Sequence, residues 1–126
     1  MNEQRLARVP QRIWAEGRPA NARNWASEFN MASWVRLTGV GGQMELVVRH
    51  RDDAGEHVTT VDSVEAGGQE SALLSGVVRL TFQGRVENVE VHLKLAGETM
   101  RYEVDELFMQ RRDSSAGRDN KLISNF

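Results

Sequence analysis

The stretch that decides the fold is VEVHLKL, residues Val89–Leu95, in which apolar and polar side chains alternate without a fault. Successive side chains of a β-strand point to opposite faces, so one face of this segment is wholly apolar and the other carries Glu90, His92 and Lys94. The pattern predicts a strand with one buried face and one face in water. It also favours an antiparallel sheet, because strands of parallel sheets are buried on both faces and read as continuous apolar runs.

Further strands are predicted on both sides of this segment, separated by glycine-rich or polar turns. Asp52–Gly55 has the residues of a hairpin turn, since an aspartate carboxylate accepts hydrogen bonds from nearby backbone and glycine adopts a positive φ. We therefore predict an all-β fold, an antiparallel sandwich or barrel of about six to eight strands. The predicted strands are Ser33–Leu37, Met44–His50, Glu56–Val64, Gly76–Phe82, Val86–Leu95 and Arg101–Arg111.

The last predicted strand contains a break in its alternation. Tyr102 and Val104 share one parity, whereas Leu107 and Met109 share the other. A straight strand would send the two pairs to opposite faces. One extra residue at Asp105–Glu106 would return all four side chains to the core, so we predict a β-bulge there. The alternative is a strand that is buried on both faces.

The chain of 126 residues has the length of a single domain. Residues 1–112 are expected to form one β-sandwich domain, with 1–30 as an irregular N-terminal segment packed on it. Within that segment, Asn2–Val9 could form a short helix and Arg12–Ala15 could equally be a strand. The polar residues 113–126 are expected to be a flexible C-terminal tail.

The composition is that of an ordinary globular protein and excludes several functions. The formal net charge of −2 gives no basic excess, so we expect no nucleic-acid partner. The absence of cysteine excludes thiol nucleophiles, disulfides and cysteine-ligated zinc. No apolar run approaches the ~20 residues that span a bilayer, and no signal peptide is visible. We therefore expect no membrane association and, by default, a cytoplasmic location.

Three segments resemble, in the same order, the xylanase-associated carbohydrate-binding modules with a galactose-binding-like jelly roll. Ser33–Thr38 resembles the S-a-W-V-R-L strand of that family, and Leu74–Phe82 resembles its L-S-G segment with the strand that follows. Tyr102–Leu107 is similar to its terminal F/Y-x-V-D-D-V strand, which carries a bulge at the paired acids. The resemblance covers roughly residues 30–111. It implies a jelly-roll sandwich and non-catalytic carbohydrate binding.

The resemblance also implies a binding site. The segment RIWAEG with Trp14 resembles the family segment whose tryptophan lies in the binding cleft. An exposed Trp14 would stack on a pyranose ring, and Arg36, Glu90, His92 and Lys94 would hydrogen-bond the sugar hydroxyls. His92 and Lys94 stand where the xylan-binding members have a tyrosine and a glutamate that meet sugar. The alternative for Trp14 is packing over the open end of a shortened core.

The other two tryptophans are interpreted from their surroundings. Trp34 shares its parity with Arg36 and points away from Val35 and Leu37, which predicts a surface or second-layer position. Trp25 is expected to be structural.

The chain departs from the family at its N-terminus. Family members open with a strand whose acidic residue, together with the aspartate of the last strand, binds a structural calcium in many members. That strand is expected to be missing or rewritten here, so Asp105 is a weak calcium candidate and no cofactor is expected. A missing first strand would leave an open sheet edge, across which two copies could pair. We expect a homodimer in either case, and the alternative function is a protein–protein interaction or structural domain that binds no sugar.

Other chemistry is weakly indicated. His50 and His57 flank the predicted hairpin turn, and cross-strand pairing could bring them together, but a solvated hairpin end is the favoured interpretation. A basic stripe that binds an acidic polysaccharide or nucleic acid could be formed by Arg49, Arg51, Arg79, Arg101, Arg111 and Arg112, but a solvated face balanced by acids is favoured. No hydrolase, metalloprotease or phosphate-loop motif is present, so we expect no enzymatic activity.

Overall fold

A computed structural model describes residues 2–15, 23–96, 100–112 and 121–125 of the chain. Over these residues the backbone forms eight strands and one short helix, and no helix is long and apolar enough to cross a membrane. The elements are β1 (Asn2–Arg8), α1 (Gln11–Trp14), β2 (Trp25–Leu37), β3 (Gly42–Asp52), β4 (Gly55–Ala66), β5 (Ser71–Phe82), β6 (Asn88–Leu95), β7 (Tyr102–Arg111) and β8 (Lys121–Asn125).

The strands form two antiparallel sheets that pack face to face. Sheet I has the strand order β1-β6-β3-β4, and sheet II has the order β5-β2-β7-β8. The predicted all-β sandwich is confirmed, and the arrangement is compatible with a jelly roll. The core between the sheets is made of apolar side chains that are less than 2% exposed, among them Phe29, Val35, Met44, Leu46, Leu74, Leu80, Phe82, Val91, Leu93, Leu107 and Met109.

The alternation in the sequence places the faces of β6 and β2 as expected. In β6, Val89, Val91 and Leu93 are fully buried, and the polar residues between them lie on the outer face of sheet I. In β2, Val35 and Leu37 point into the core. The outward positions of β2 alternate with these, so the strand presents a second, separate surface on sheet II.

The predicted bulge in β7 is confirmed. Trp34 of β2 lies opposite Glu106, whereas the next residue, Val35, lies opposite Val104. Asp105 is therefore the extra residue of β7, and it is exposed. Because of this insertion Val104 and Leu107 are both buried, although their spacing is odd.

The predicted hairpin turn is also confirmed. Asp52 pairs with Gly55 at the end of the β3–β4 ladder, which leaves a two-residue loop. Gly55 has φ of 114°, a conformation that side chains disfavour. The Asp52 carboxylate caps the turn, since its Oδ1 accepts a hydrogen bond of 2.8 Å from Ala54 N.

The predictions for the N-terminal segment are wrong. Asn2–Arg8 is a strand rather than a helix, and it pairs antiparallel with β6 at the edge of sheet I. Its alternation is weak because only Leu6 and neighbouring Ala7 contribute apolar contacts to the core. Arg12–Ala15 lies within a helical turn rather than a strand, and β2 already begins at Trp25. The chain therefore has an opening strand, contrary to expectation.

The end of the chain also differs from the predicted tail over 113–126. Residues 113–120 and 126 lie outside the described residues. Lys121–Asn125 forms β8, which pairs antiparallel with β7 and completes sheet II. Lys121–Asn125 thus belongs to the sandwich.

Candidate functional site

Trp14 is buried and does not form the expected exposed platform. Its side chain is 4% exposed and stacks on Trp25, with ring centroids 6.3 Å apart and an interplanar angle of 14°. Phe82 of β5 packs against it at 5.6 Å. The alternative interpretation, in which Trp14 packs over one end of the core, is therefore correct. Trp25 packs against Trp14 and is structural, as predicted.

A buried arginine holds this end in place. Arg111 of β7 is 3% exposed, and its Nη1 donates a hydrogen bond of 2.6 Å to the carbonyl oxygen of Ile13. The helical turn α1 is thereby fixed against sheet II. Trp14, the next residue of the turn, is buried in the core.

The other four expected site residues do not meet in one groove. Glu90, His92 and Lys94 project from β6 on the outer face of sheet I, whereas Arg36 projects from β2 on the outer face of sheet II. The two faces are on opposite sides of the sandwich, so the single site predicted from the resemblance is wrong. Lys94 lies 4.0 Å from the carboxylate of Glu45.

The outer face of sheet I carries an ion-pair network. Arg49 donates a 2.7 Å hydrogen bond to Glu3, and the His92 ring lies between two carboxylates, with Nδ1 2.9 Å from Glu3 and Nε2 3.0 Å from Glu90. Arg5 pairs with Glu90 at 3.2 Å. The hydrogen bond from Arg49 lowers the pKa of Glu3, and that from His92 lowers the pKa of Glu90. Arg49, Arg5 and His92 Nε2 thus hydrogen-bond the carboxylates of Glu3 and Glu90, whereas His92 Nδ1 is close to Glu3 but has no hydrogen-bond partner among the described residues.

The outer face of sheet II carries an exposed tryptophan. Trp34 is 48% exposed on the inner strand β2, which confirms its predicted surface position. Leu73 of β5 lies directly opposite it on one side and Glu106 of β7 on the other. Two positions further along β2, Arg36 pairs with Glu103.

The apolar character of this face extends beyond Trp34. Leu73, Val77 and Ile123 are each more than 40% exposed. Phe108 is half-buried and pairs in register with Ile123 of β8. We refer to Trp34, Leu73, Val77, Phe108 and Ile123 as the apolar patch of sheet II.

Asp105 lies near the guanidinium group of Arg36. Its Oδ1 lies 3.8 Å from Arg36, and it is not part of any group of three or more metal-ligating side chains within the described ranges. Calcium takes six to eight oxygen ligands. The described residues around Asp105 therefore give no support to a calcium site.

A histidine–aspartate cluster lies at the hairpin end. His50 and His57 are direct cross-strand partners, and their rings stack with centroids 4.5 Å apart. Asp52 Oδ1 is 2.9 Å from His57 Nε2, and Asp52 Oδ2 is 3.7 Å from His50 Nε2. His50 and Asp52 are buried, and only His57 is partly open to water. The favoured interpretation of a solvated hairpin end is therefore wrong.

The end of β5 explains this burial. Thr81 O lies 3.0 Å from His50 Nε2, and Gln83 N donates to Asp52 Oδ2 at 2.9 Å. Burial lowers the pKa of His50. Burial alone would raise the pKa of Asp52, but hydrogen bonds from Gln83, His57 and Ala54 outweigh it and lower the pKa. The cross-strand spacing in the sequence could indicate the two histidines, but not the strand from the other sheet that covers them.

The arginines considered for a basic stripe do not line up. Arg49 lies on sheet I and pairs with Glu3, whereas Arg79 and Arg111 belong to sheet II. Arg111 is buried, as described above. The balanced-face interpretation fits Arg49, which pairs with Glu3, but it does not fit the buried Arg111.

Comparisons of the chain with protein-family models, with curated proteins and with solved structures found no match.

Proposed function

We propose that this chain is a non-catalytic carbohydrate-binding domain whose binding surface is the outer face of sheet II around Trp34. The observation that carries the proposal is the 48% exposure of Trp34 on an inner strand of a well-packed sheet. Burying a large apolar side chain is favourable by about 1.5–3 kcal/mol. An indole held in water at such a position therefore favours a ligand surface.

The chemistry around Trp34 suits a sugar ring. The flat indole offers an apolar platform for the C–H face of a pyranose. The Arg36–Glu103 pair lies next to it on the same face and presents guanidinium donors beside carboxylate acceptors. Vicinal hydroxyls, which both donate and accept, can bridge such a pair. Glu106, directly opposite Trp34, adds a further acceptor.

The outer face of sheet I is less suitable. Glu90 and His92 are expected sugar ligands, yet each already has charged partners within 3.2 Å. A ligand on that face would have to replace those interactions. No aromatic platform stands among the described residues of β6. Of the expected site residues, we keep only Arg36 in the proposed site.

The affinity is expected to be modest. A shallow face exposed to water gains little beyond the cost of ordering the ligand. We expect Kd values on the order of 10⁻⁵–10⁻³ M.

A glycan array followed by titration of the best ligand tests the proposal. We compare the wild type with Trp34→Ala, Trp34→Phe and His92→Ala, the last of which alters the opposite face. We expect the affinity for the glycan to fall at least tenfold in Trp34→Ala and to be partly retained in Trp34→Phe. In His92→Ala the affinity is expected to be unchanged. Binding that survives Trp34→Ala, or an array without signal, would contradict the proposal.

A second candidate function is an interaction domain that pairs two copies of the chain. A homodimer is predicted from the sequence because a missing first strand would leave an open sheet edge. That reason does not apply, because β1 is present and pairs with β6. The apolar patch supplies a different one, since Val77 and Ile123 extend the exposed apolar surface beyond what a sugar ring covers. Sedimentation velocity of wild type and Val77→Asp separates the candidates. A dimer that Val77→Asp dissociates favours the interaction domain, and a wild-type monomer contradicts it.

A further inference from the structure

We propose that His50, Asp52 and His57 form a binding site for a divalent transition-metal ion of the Zn²⁺ class. One ligand atom from each side chain lies within 4.8 Å of the others. Zinc bonds of about 2.0–2.2 Å in a tetrahedral site place ligand atoms about 3.4 Å apart. Asp52 Oδ1 lies 2.9 Å from His57 Nε2, and Asp52 Oδ2 lies 3.7 Å from His50 Nε2, so the two carboxylate oxygens face one imidazole each at separations on either side of that value.

The carboxylate is already fixed in the orientation that a ligand needs. Ala54 N donates to Asp52 Oδ1 and Gln83 N donates to Oδ2, so each oxygen has one backbone donor. Each oxygen also faces one imidazole nitrogen. Hydrogen bonds of this kind orient metal ligands and are as much a part of a site as the ligands themselves.

The imidazole nitrogens are compatible with exchange of a proton for a metal ion. His50 Nε2 lies 3.0 Å from Thr81 O, and a carbonyl only accepts, so without an ion this nitrogen carries the proton. His57 Nε2 likewise faces a carboxylate oxygen. Ligation moves the proton of each neutral ring from Nε2 to Nδ1. His50 Nδ1 is buried and has no hydrogen-bond partner among the described residues, so a water molecule would be needed to accept from it once it carries that proton.

The donor set and the access route indicate the class of ion. Two imidazoles and one carboxylate suit Zn²⁺, Ni²⁺ and Cu²⁺, whereas Ca²⁺ requires six to eight oxygens. His57 lies at the rim of a groove of about 450 Å³, which Glu56, Thr59 and Thr81 also line. The ion can enter through this groove, and water can fill its remaining coordination positions.

Isothermal titration calorimetry with ZnCl₂ tests the site after dialysis of the protein against a chelator. His92→Ala is the matched control, because it removes a histidine that also lies between two carboxylates. We expect wild type and His92→Ala to bind one Zn²⁺ with equal affinity. We expect the affinity of His57→Ala for Zn²⁺ to be at least about tenfold lower. Absence of saturable binding in the wild type, or an equal loss in His92→Ala, would overturn the proposal.

A second measurement uses only the wild-type protein, so its result does not depend on whether a variant folds. Histidine side-chain ¹H–¹⁵N spectra of the wild type distinguish the two tautomers of His50. We expect the Nε2–H form without zinc and the Nδ1–H form at saturating zinc, while CaCl₂ causes no change. A His50 ring that keeps its Nε2–H tautomer at saturating zinc would contradict ligation by this residue.

Discussion

Trp14 and Trp34 differ in exposure because their local backbones differ. Trp14 ends a helical turn that Arg111 holds through a hydrogen bond to the carbonyl oxygen of Ile13, whereas Trp34 occupies an outward position of a strand. We predict that Trp14→Ala destabilises the fold by about 3–5 kcal/mol, the usual cost of truncating a buried large aromatic side chain. Urea unfolding followed by circular dichroism measures the loss of unfolding free energy. Trp34→Ala is the control, and we expect it to lose less than about 1 kcal/mol. Similar costs in both variants would contradict these two environments.

The ion-pair network of sheet I makes stability depend on pH. Arg49 holds the pKa of Glu3 below its ordinary value, and His92 does the same for Glu90. A carboxylate whose pKa is lower when folded stabilises above its unfolded pKa, and that stabilisation is lost as pH falls through the folded pKa. Arg5 and Lys94 face the same carboxylates and act in the same direction.

We therefore predict that Glu3→Gln narrows the difference in unfolding free energy between pH 7 and pH 3. The effect is at most about 1 kcal/mol, because the pair is partly exposed. Urea unfolding at the two pH values measures it, and Glu65→Gln, which alters an exposed glutamate on β4, is the control. An unchanged difference in Glu3→Gln would show that this ion pair does not contribute.

At the scale of the element, the bulge of β7 lets one strand bury apolar side chains at both even and odd sequence positions. Val104 precedes the bulge, and Leu107 and Met109 follow it. Deletion of Asp105 would turn either Val104 or Leu107 out of the core. We predict that the deletion costs several kcal/mol, since a buried aliphatic side chain contributes about 1.5–3 kcal/mol. Asp105→Ala, which keeps the backbone residue, is expected to cost less than about 1 kcal/mol. Thermal unfolding compares the two, and equal melting temperatures would contradict the role of the inserted residue.

Some elements could be predicted from the sequence, and others could not. The bulge and the β3–β4 turn depend on local parity and on Asp52 and Gly55, so the sequence alone indicates them. β1 reads NEQRLAR and has one buried leucine, because an edge strand covers only a margin of the core. β8 is five residues long. Without apolar alternation, neither strand could be distinguished from a polar terminal segment.

At the scale of the whole molecule, the candidate sites depend on which strands share a sheet. Parity predicts correctly that Arg36 and His92 point outward, but it does not show that they leave the sandwich on opposite sides. The histidine–aspartate cluster likewise requires the end of β5 to cover the β3–β4 hairpin. Contacts between segments that are distant in the chain leave no periodic pattern in the sequence. The resemblance could not supply them either, since it placed Trp14 in a cleft.

The two outer faces therefore have different properties. Sheet I presents charges that pair with one another, whereas sheet II presents an exposed indole beside an arginine–glutamate pair. Both faces carry ion pairs, but the side chains of His92 and Glu90 are only 14% and 21% exposed, whereas those of Arg36 and Glu103 are 49% and 60% exposed. The exposed pair lies beside an apolar platform, and a ligand can reach both. This contrast is the basis for the proposal that ligands bind the outer face of sheet II.

The most direct measurement is the indole N–H region of a ¹H–¹⁵N spectrum during titration with the best oligosaccharide from the array. The chain has three tryptophans, so three indole signals can be assigned with single Trp→Phe variants. We predict that the Trp34 signal shifts progressively to saturation while those of Trp14 and Trp25 stay in place. A shift confined to Trp14 or Trp25, or three unmoved signals at saturating sugar, would contradict binding at the outer face of sheet II.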